Sequence, residues 1–151
     1  MIDRSYIGYR TTPTIHRVEP WRVKLFCEAI GETDAVFWDR EAARARGFDA
    51  CPVPPTFLKA IESEHCNSAD LLKIIGVPLR GVLHAEQRFE HEHAVHAGDD
   101  LEVSREILDI YDKRNGALHF IVIETRFRLR GESACRSMQN VAVRNPGSGK
   151  P

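Results

Sequence analysis

The second half of this chain reads as four long strands separated by turn residues, and no other feature constrains the fold as strongly. Apolar and polar residues alternate there with the two-residue period of half-buried strands. The pattern predicts strands over 82–93, 101–112, 119–129 and 134–144, with turns at Gly98-Asp99-Asp100, Asn115-Gly116 and Gly131. Asn-Gly is typical of a two-residue hairpin loop, and a break in the alternation at Ile107-Leu108 predicts a bulge. Together these signals predict an antiparallel meander.

Helical patterns come before the strands. Pro20 fits the first turn of a helix and Gly31 fits its end, which predicts a helix over 20–30. Its apolar stripe contains Trp21, Leu25, Ala29 and Ile30, and Val23, Phe26 and Cys27 widen it. Asp39 can cap a second helix over 40–46, closed by Gly47. Helices followed by a run of strands predict an α+β fold.

A third helix is expected to form the centre of the fold. Prolines at 52, 54 and 55 exclude regular structure before Thr56, so this helix runs from there to about Cys66. Its start is apolar and its end is polar: Phe57, Leu58, Ala60 and Ile61 precede Glu62, Glu64 and His65. We expect the sheet to wrap around the apolar start and the two glutamates to lie on a solvated face. Residues 67–80 are predicted to be a loop with one helical turn around Leu71 to Ile75.

Composition limits the classes of function. The 151 residues carry 28% charged side chains and a formal net charge of −1, which argues against a nucleic-acid partner because nucleic acids select a basic face. No apolar run reaches the roughly 18 residues of a membrane helix, and the start MIDRSYIGYR lacks the apolar segment of a secretory signal. We therefore expect a cytoplasmic protein with one domain over 1–145 and a disordered tail over 146–151. The four cysteines are expected to be reduced and apolar: Cys27, Cys51, Cys66 and Cys135.

Two segments carry a family likeness: the block from Gly31 to Phe57, and LHAEQRFEHEHAVHAGD at 83–99. With the helix before them and RGESACRSMQNVAVR after them, the chain resembles the MaoC-like dehydratase/hydratase group of the hot-dog fold. It most resembles the N-terminal half of double hot-dog dehydratases and the non-catalytic subunit of paired ones. The resemblance implies a single hot-dog domain, in which an antiparallel sheet wraps around a long central helix. It also implies a homodimer or a heterodimer with another hot-dog subunit.

The resemblance further implies an acyl thioester ligand, carried on coenzyme A or acyl carrier protein, with no other cofactor and no metal. Active members hydrate trans-2-enoyl thioesters with an Asp and a His in the pattern Gly-Asp-x-Asn-Pro-x-His. Here Gly31 is followed by Glu32 at the Asp position, Asp34 at the Asn position and Phe37 at the His position. Phenylalanine cannot transfer a proton, so the pair is degenerate.

Candidate site residues follow from these positions. Glu32, Asp34 and His84 are the candidate catalytic residues, and the candidate substrate-binding residues are Phe37, Trp38, Pro55, Thr56 and Phe57. The start of the third helix would hold the thioester oxygen, as the resembled family does. A metal site at His91, His93 and His96 is conceivable from their spacing but is not favoured.

Four functions stay open at this point. The chain could be a partner subunit or half-site that binds the acyl chain beside a catalytic hot-dog protein. It could be a homodimeric hydratase that uses Glu32 or Asp34 with His84. It could be a thioesterase that uses Glu62 or Glu64, although their place at the polar end of the helix favours a solvated role. It could also bind ligands without chemistry.

Overall fold

The computed structural model describes residues 2–65 and 67–144; the predicted tail over 146–151 lies outside them. Four helices are α1 Pro20–Ile30, α2 Arg40–Ala45, α3 Leu58–His65 and α4 Ser68–Ile74. Five strands are β1 Thr14–Arg17, β2 Val82–His91, β3 Asp100–Lys113, β4 Leu118–Leu129 and β5 Glu132–Arg144. Short 3₁₀ turns lie at Arg4–Tyr6, Ala35–Phe37 and Pro55–Phe57. The helices precede the four long strands, so the predicted α+β order is confirmed.

All strand pairs are antiparallel, in the spatial order β1-β3-β4-β5-β2. The register of β3 against β4 shifts between Ile107 and Asp109, which confirms the predicted bulge. The two-residue hairpin prediction is wrong, because Lys113 pairs with Leu118 and leaves a loop of residues 114–117. Arg114, Asn115 and Gly116 all have positive φ there, so the left-handed backbone extends beyond the Asn-Gly pair.

Helix α1 has the predicted bounds, with Gly31 ending it at φ 72°. Only part of its predicted apolar stripe faces the core. Val23 and Cys27 are fully buried, whereas Trp21 is 64% exposed and Leu25 56% exposed. The helix is apolar on two sides, and periodicity cannot say which of them meets the sheet.

The predicted long central helix is wrong. Helix α3 covers eight residues, and the chain then starts a new helix instead of extending the first. Asn67 has an extended backbone, with φ −62° and ψ 162°, and its side chain accepts a hydrogen bond from the Asp70 N–H at 3.0 Å. A residue that caps a new helix in this way cannot continue the old one. Residues 68–74 are therefore helix α4 and not a loop with one turn.

The core has two apolar clusters on the inner face of the sheet. One contains Phe57, Leu58 and Ile61 against Leu101, Val103 and Phe127. The other contains Leu71 and Leu72 of α4 against Ile107, Ile110, Ile121, Ile123 and Val141. The short helices α3 and α4 thus each cover one end of the inner face of the sheet, which a single long helix would otherwise cover.

Candidate functional site

The loop after α1 is organised by its own carboxylates. Glu32 Oε1 accepts hydrogen bonds from the backbone N–H groups of Thr33 and Asp34, both at 2.9 Å. Asp34 accepts from the Val36 N–H at 3.1 Å, which caps the 3₁₀ turn, and its Oδ2 lies 2.6 Å from the Arg46 guanidinium. These bonds fix the path of the loop, and the catalytic roles predicted for Glu32 and Asp34 stay predictions.

Phe37 and Trp38 line a cleft of about 320 Å³ beside this loop. Trp21, Lys24 and Arg40 complete its rim, and Pro20, Ala50, Cys51 and Ala97 form the rest of the wall. Burial raises the pKa of the Cys51 thiol, so this sulfur stays protonated near neutral pH and is a weak nucleophile. The cleft is therefore lined by aromatic and cationic side chains.

A second cleft, of about 280 Å³, lies beside the turn Pro55–Phe57. Its wall is mostly apolar: Pro52, Val53, Pro55, Leu58 and Val95, with His91, Glu92, His93 and Ala94 from the end of β2 and the bend after it. The structure thus separates the predicted substrate-binding residues, because Pro55 lines this cleft and Phe37 lines the first.

The turn at this cleft offers few hydrogen-bond donors. Pro55 has no N–H, and the Phe57 N–H donates to the Pro54 carbonyl at 2.9 Å. Within the turn, an N–H for a ligand oxygen could therefore come only from Thr56, whose side chain is exposed. The Phe57 ring is buried and packs edge-on against Phe26, with 5.4 Å between ring centroids. Its predicted part in substrate binding stays a prediction.

His84 is exposed on β2, next to the register shift between His84 and Glu86. It makes no contact with Glu32 or Asp34 in the ranges that the structure describes. His91, at the second cleft, lies seven positions further along the strand, which is about 23 Å at the rise of a strand. The catalytic role predicted for His84 therefore stays a prediction.

The histidines after β2 are spread over different surroundings. Strand β2 ends at His91, so His93 does not extend its face. His96 Nδ1 lies 3.8 Å from the Asp99 carboxylate, and its ring packs against Phe48. Residues 2–65 and 67–144 contain no group of three or more His, Cys, Asp or Glu side chains placed to share a metal ion.

The position of Glu62 differs from the one its sequence context predicts. It was expected on a solvated face, and the structure buries it completely. Its Oε1 pairs with the Lys59 ammonium and lies 3.4 Å from the buried Arg105 guanidinium, and Oε2 accepts from the Ser137 hydroxyl at 2.9 Å. The burial is tolerated because cations and a hydroxyl replace water around the carboxylate. Glu64 is partly exposed and pairs with Arg22.

Glu62 belongs to a polar belt that crosses the inner face of the sheet. The belt consists of Glu62, Ser68, Gln87, Arg105, Thr125, Ser137 and Gln139. Arg105 donates to Gln139 Oε1 at 2.8 Å, Ser68 donates to the same oxygen at 2.9 Å, and Gln87 donates to Ser137. Arg105, Thr125 and Ser137 are direct neighbours across β3, β4 and β5. One signal was available in the sequence: strand alternation places Arg105, Ser137 and Gln139 at inward positions.

Solved structures share this architecture. A chain of the C-terminally truncated HadBC complex, a (3R)-hydroxyacyl-ACP dehydratase of Mycobacterium tuberculosis, matches with a TM-score of 0.79 and 24% identity over 91% of this chain and 96% of that one. A chain of the ChsH1–ChsH2 complex of the same organism matches at 0.77 and 19% identity, covering 95% and 88%. A MaoC-like dehydratase matches at 0.82 and 21% identity, covering 97% of this chain and 45% of that one. The fold is therefore the hot-dog fold of MaoC-like proteins, built here around short helices.

Sequence relatives narrow the class. The chain belongs to the family described as FAS1-like, dehydratase domain region, which it matches over residues 5–136. It is 33% identical over 110 residues to a UPF0336 protein of Streptomyces avermitilis, covering 72% of this chain and 73% of the relative. A UPF0336 protein of Saccharopolyspora erythraea is 27% identical over 145 residues, covering 95% and 92%. The resemblance inferred from the residues is thereby confirmed. No helix among the described residues is long and apolar enough to cross a membrane.

Proposed function

We propose that this chain is the acyl-thioester-binding subunit of a heterodimeric MaoC-like dehydratase, in which a second hot-dog subunit supplies the catalytic Asp and His. The observation that carries the proposal is Phe37, an apolar ring in the wall of the cleft where an imidazole would have to act. Reversible hydration needs a group that moves a proton to or from C2 of the thioester. A phenyl ring cannot do so, but it can pack against an acyl or pantetheine chain.

The open edge of β2 supports a partner. Strand β2 is ten residues long and pairs only with β5 among the described strands, so its other edge offers free backbone groups. Two large apolar side chains lie beside this edge, Leu79 at 59% exposed and Leu83 at 58%. A second hot-dog sheet paired along β2 would cover both features. The HadBC and ChsH1–ChsH2 structures, named as complexes of two proteins, are of the same fold.

In this proposal each subunit has a distinct task. The partner's acid and base would add water across the enoyl double bond or remove it. This chain would hold one part of the ligand against Phe37 and Trp38 in the first cleft and another part at the second cleft beside Pro55, where the Thr56 N–H would be available to the thioester oxygen. Lys24 and Arg40 at the cleft rim would favour the anionic carrier.

The test compares the chain alone with a co-purified complex. The partner is a hot-dog subunit of the same host that carries the Gly-Asp-x-Asn-Pro-x-His pattern. Loss of the enoyl-thioester absorbance of trans-2-enoyl-CoA is followed for both samples. We expect no turnover from the folded chain alone and turnover from the complex. Glu32→Gln in the complex should change kcat less than about twofold. If Glu32 takes no part in proton transfer, its replacement loses none of the 10²–10⁴-fold rate contribution of general acid–base catalysis.

Phe37→Ala in the complex tests the binding role. It should raise KM and leave kcat nearly unchanged, because it removes uniform binding and not a proton transfer. Phe120→Ala is the matched control, since Phe120 stacks on Tyr111 on the outer face of the sheet, away from the clefts. Equal KM values for both variants would contradict the binding role.

The open edge of β2 also favours a second candidate, an active homodimer. If two copies of β2 paired antiparallel, the start of one strand would lie beside the end of the other, so His84 of one protomer would approach the end of the partner's β2. Turnover by the chain alone, abolished by both Glu32→Gln and His84→Ala, would replace the heterodimer proposal with this one. A thioesterase centred on Glu62 is not supported, because both of its carboxylate oxygens are already engaged.

A further inference from the structure

A third cavity, of about 340 Å³, opens where β5 ends and β2 begins. It shares no lining residue with the two clefts described above. Its apolar wall is Ile2, Ile75, Val77, Pro78 and Val143, and its charged and titratable lining is Asp3, Arg80, His119 and Arg144. His119 of β4 pairs with Asp112 of β3. Asp112 lies twelve residues along β3 from Asp100, which is about 40 Å at the rise of a strand. Asp100 is close in sequence to Ala97, which lines the same cleft as Phe37. The cavity therefore lies at the opposite end of the sheet from Phe37.

His119 forms the floor of this cavity and is only 6% exposed. Its Nδ1 lies 3.4 Å from Asp112 Oδ1, and the same carboxylate oxygen lies 3.3 Å from the Arg4 guanidinium. The other ring nitrogen, Nε2, has no hydrogen-bond partner among the described residues. A carboxylate at Nδ1 fixes the orientation of the ring, which leaves Nε2 available to a ligand.

Arg80 and Arg144 stand at the cavity mouth, and neither forms an ion pair with a carboxylate of the described residues. Their backbones are held side by side, because the Arg144 N–H donates to the Gly81 carbonyl at 2.9 Å. Gly81 has φ +84°, and a Cβ there would lie 3.2 Å from the Arg144 carbonyl oxygen. This close approach requires glycine and places both guanidinium groups on the same cavity.

We propose that this cavity is a binding site for the phosphate group of a phosphate-bearing ligand. Two guanidinium groups present paired N–H donors that match phosphate oxygens, and His119 adds a polar ring to the same cavity. This donor set exceeds what the two oxygens of a carboxylate would use, whereas a phosphate monoester has three free oxygens. The apolar wall would contact the organic part of the ligand. Asp3 opposes binding, because its carboxylate lines the same cavity.

Isothermal titration calorimetry on the whole chain tests the proposal with three probes: inorganic phosphate, coenzyme A and pantetheine, which lacks phosphate. We expect both phosphate-bearing probes to bind and pantetheine to show no competition with phosphate. The double variant Arg80→Ala/Arg144→Ala should weaken phosphate binding by at least about tenfold, because it removes two charge-assisted donors. Arg44→Ala, at an exposed arginine on α2, is the matched control and should leave affinity unchanged.

Two milder variants keep the test independent of folding. His119→Gln retains a buried polar side chain and should weaken phosphate binding, and Asp3→Asn should strengthen it by about two- to threefold because it removes a like charge. If coenzyme A binds more tightly than phosphate and Arg80→Ala/Arg144→Ala weakens that binding, the cavity binds a phosphate-bearing carrier. If the double variant weakens the binding of phosphate alone, the cavity binds free phosphate. Absence of phosphate binding, or binding that none of these variants alters, would overturn the proposal. The deciding readout is the effect of the Arg80, Arg144 and His119 variants on phosphate binding, which the dehydratase proposal does not predict.

Discussion

Glu62 of α3 and Arg105 of β3 form an ion pair with no solvent exposure at either side chain, 3.4 Å between Oε1 and the guanidinium. The pair lies between the two apolar clusters of the core and joins the helix to the sheet at one level. Gln139, which Arg105 also contacts, accepts a hydrogen bond from Ser68 at the start of α4. The belt therefore links both short helices to the sheet at the break between them.

Removing one member of this pair should be costly. Glu62→Gln leaves the Arg105 charge buried without its carboxylate and should lower the free energy of unfolding by about 3 kcal/mol, the scale for a broken buried pair. Urea denaturation followed by circular dichroism measures this loss. Glu64→Gln, two residues along the same helix at a partly exposed pair, should cost less than about 1 kcal/mol. Equal losses from the two variants would contradict the burial of Glu62.

The carboxylate of Asp34 should stabilise the loop mainly by capping the 3₁₀ turn Ala35–Phe37. Asp34→Ala removes the hydrogen bond from the Val36 N–H and should lower the free energy of unfolding by about 1 kcal/mol. Asp34→Asn keeps that acceptor and loses only the exposed pair with Arg46, so its effect should stay under about 0.5 kcal/mol. Thermal denaturation of both variants measures the difference. If the asparagine variant were the more damaging one, the ion pair and not the cap would organise the loop.

The open edge of β2 should be the route to assembly. Leu83→Glu places a charge on an exposed apolar position beside that edge and should shift the complex toward monomers, because a buried unpaired charge is unfavourable at an interface. Size-exclusion chromatography with light scattering measures the shift. Leu108→Glu is the control, since Leu108 is a partly exposed leucine at the β3 bulge. Loss of assembly in the control alone would place the interface on a different face.

Cys135 should make stability depend on pH above neutrality. Burial raises the pKa of its thiol from 9.0 to about 11, so between these values the unfolded chain loses a proton that the folded chain keeps. Stability must therefore fall as pH rises from about 9 to 11, by at most about 2–3 kcal/mol at 1.4 kcal/mol per pKa unit. Urea midpoints at pH 8 and pH 10.5 measure it, and Cys135→Ala should lose this part of the slope. If stability depended on pH equally in the Cys135→Ala variant, groups other than Cys135 would cause that dependence.

Local signals in the sequence predicted the elements well. Pro20 and Gly31 marked both ends of α1, and Asp39 caps α2 with hydrogen bonds from the Glu41 and Ala42 N–H groups. Cys27, Cys51 and Cys135 are free and buried, as expected, while Cys66 lies outside the described residues. These features depend on residues that are neighbours in the chain, which is why a sequence can reveal them.

The sequence by itself determined the order of helices and strands, the bulge in β3 and the family. Tertiary structure alone decided which side of α1 is buried, where the central helix breaks, that Glu62 is interior, and that Pro55 and Phe37 line separate clefts. It also placed His119, Arg80 and Arg144 on one cavity. The physical reason is that periodicity and caps act between residues a few positions apart. Burial of a charge, or the convergence of a site, depends on partners brought by other strands.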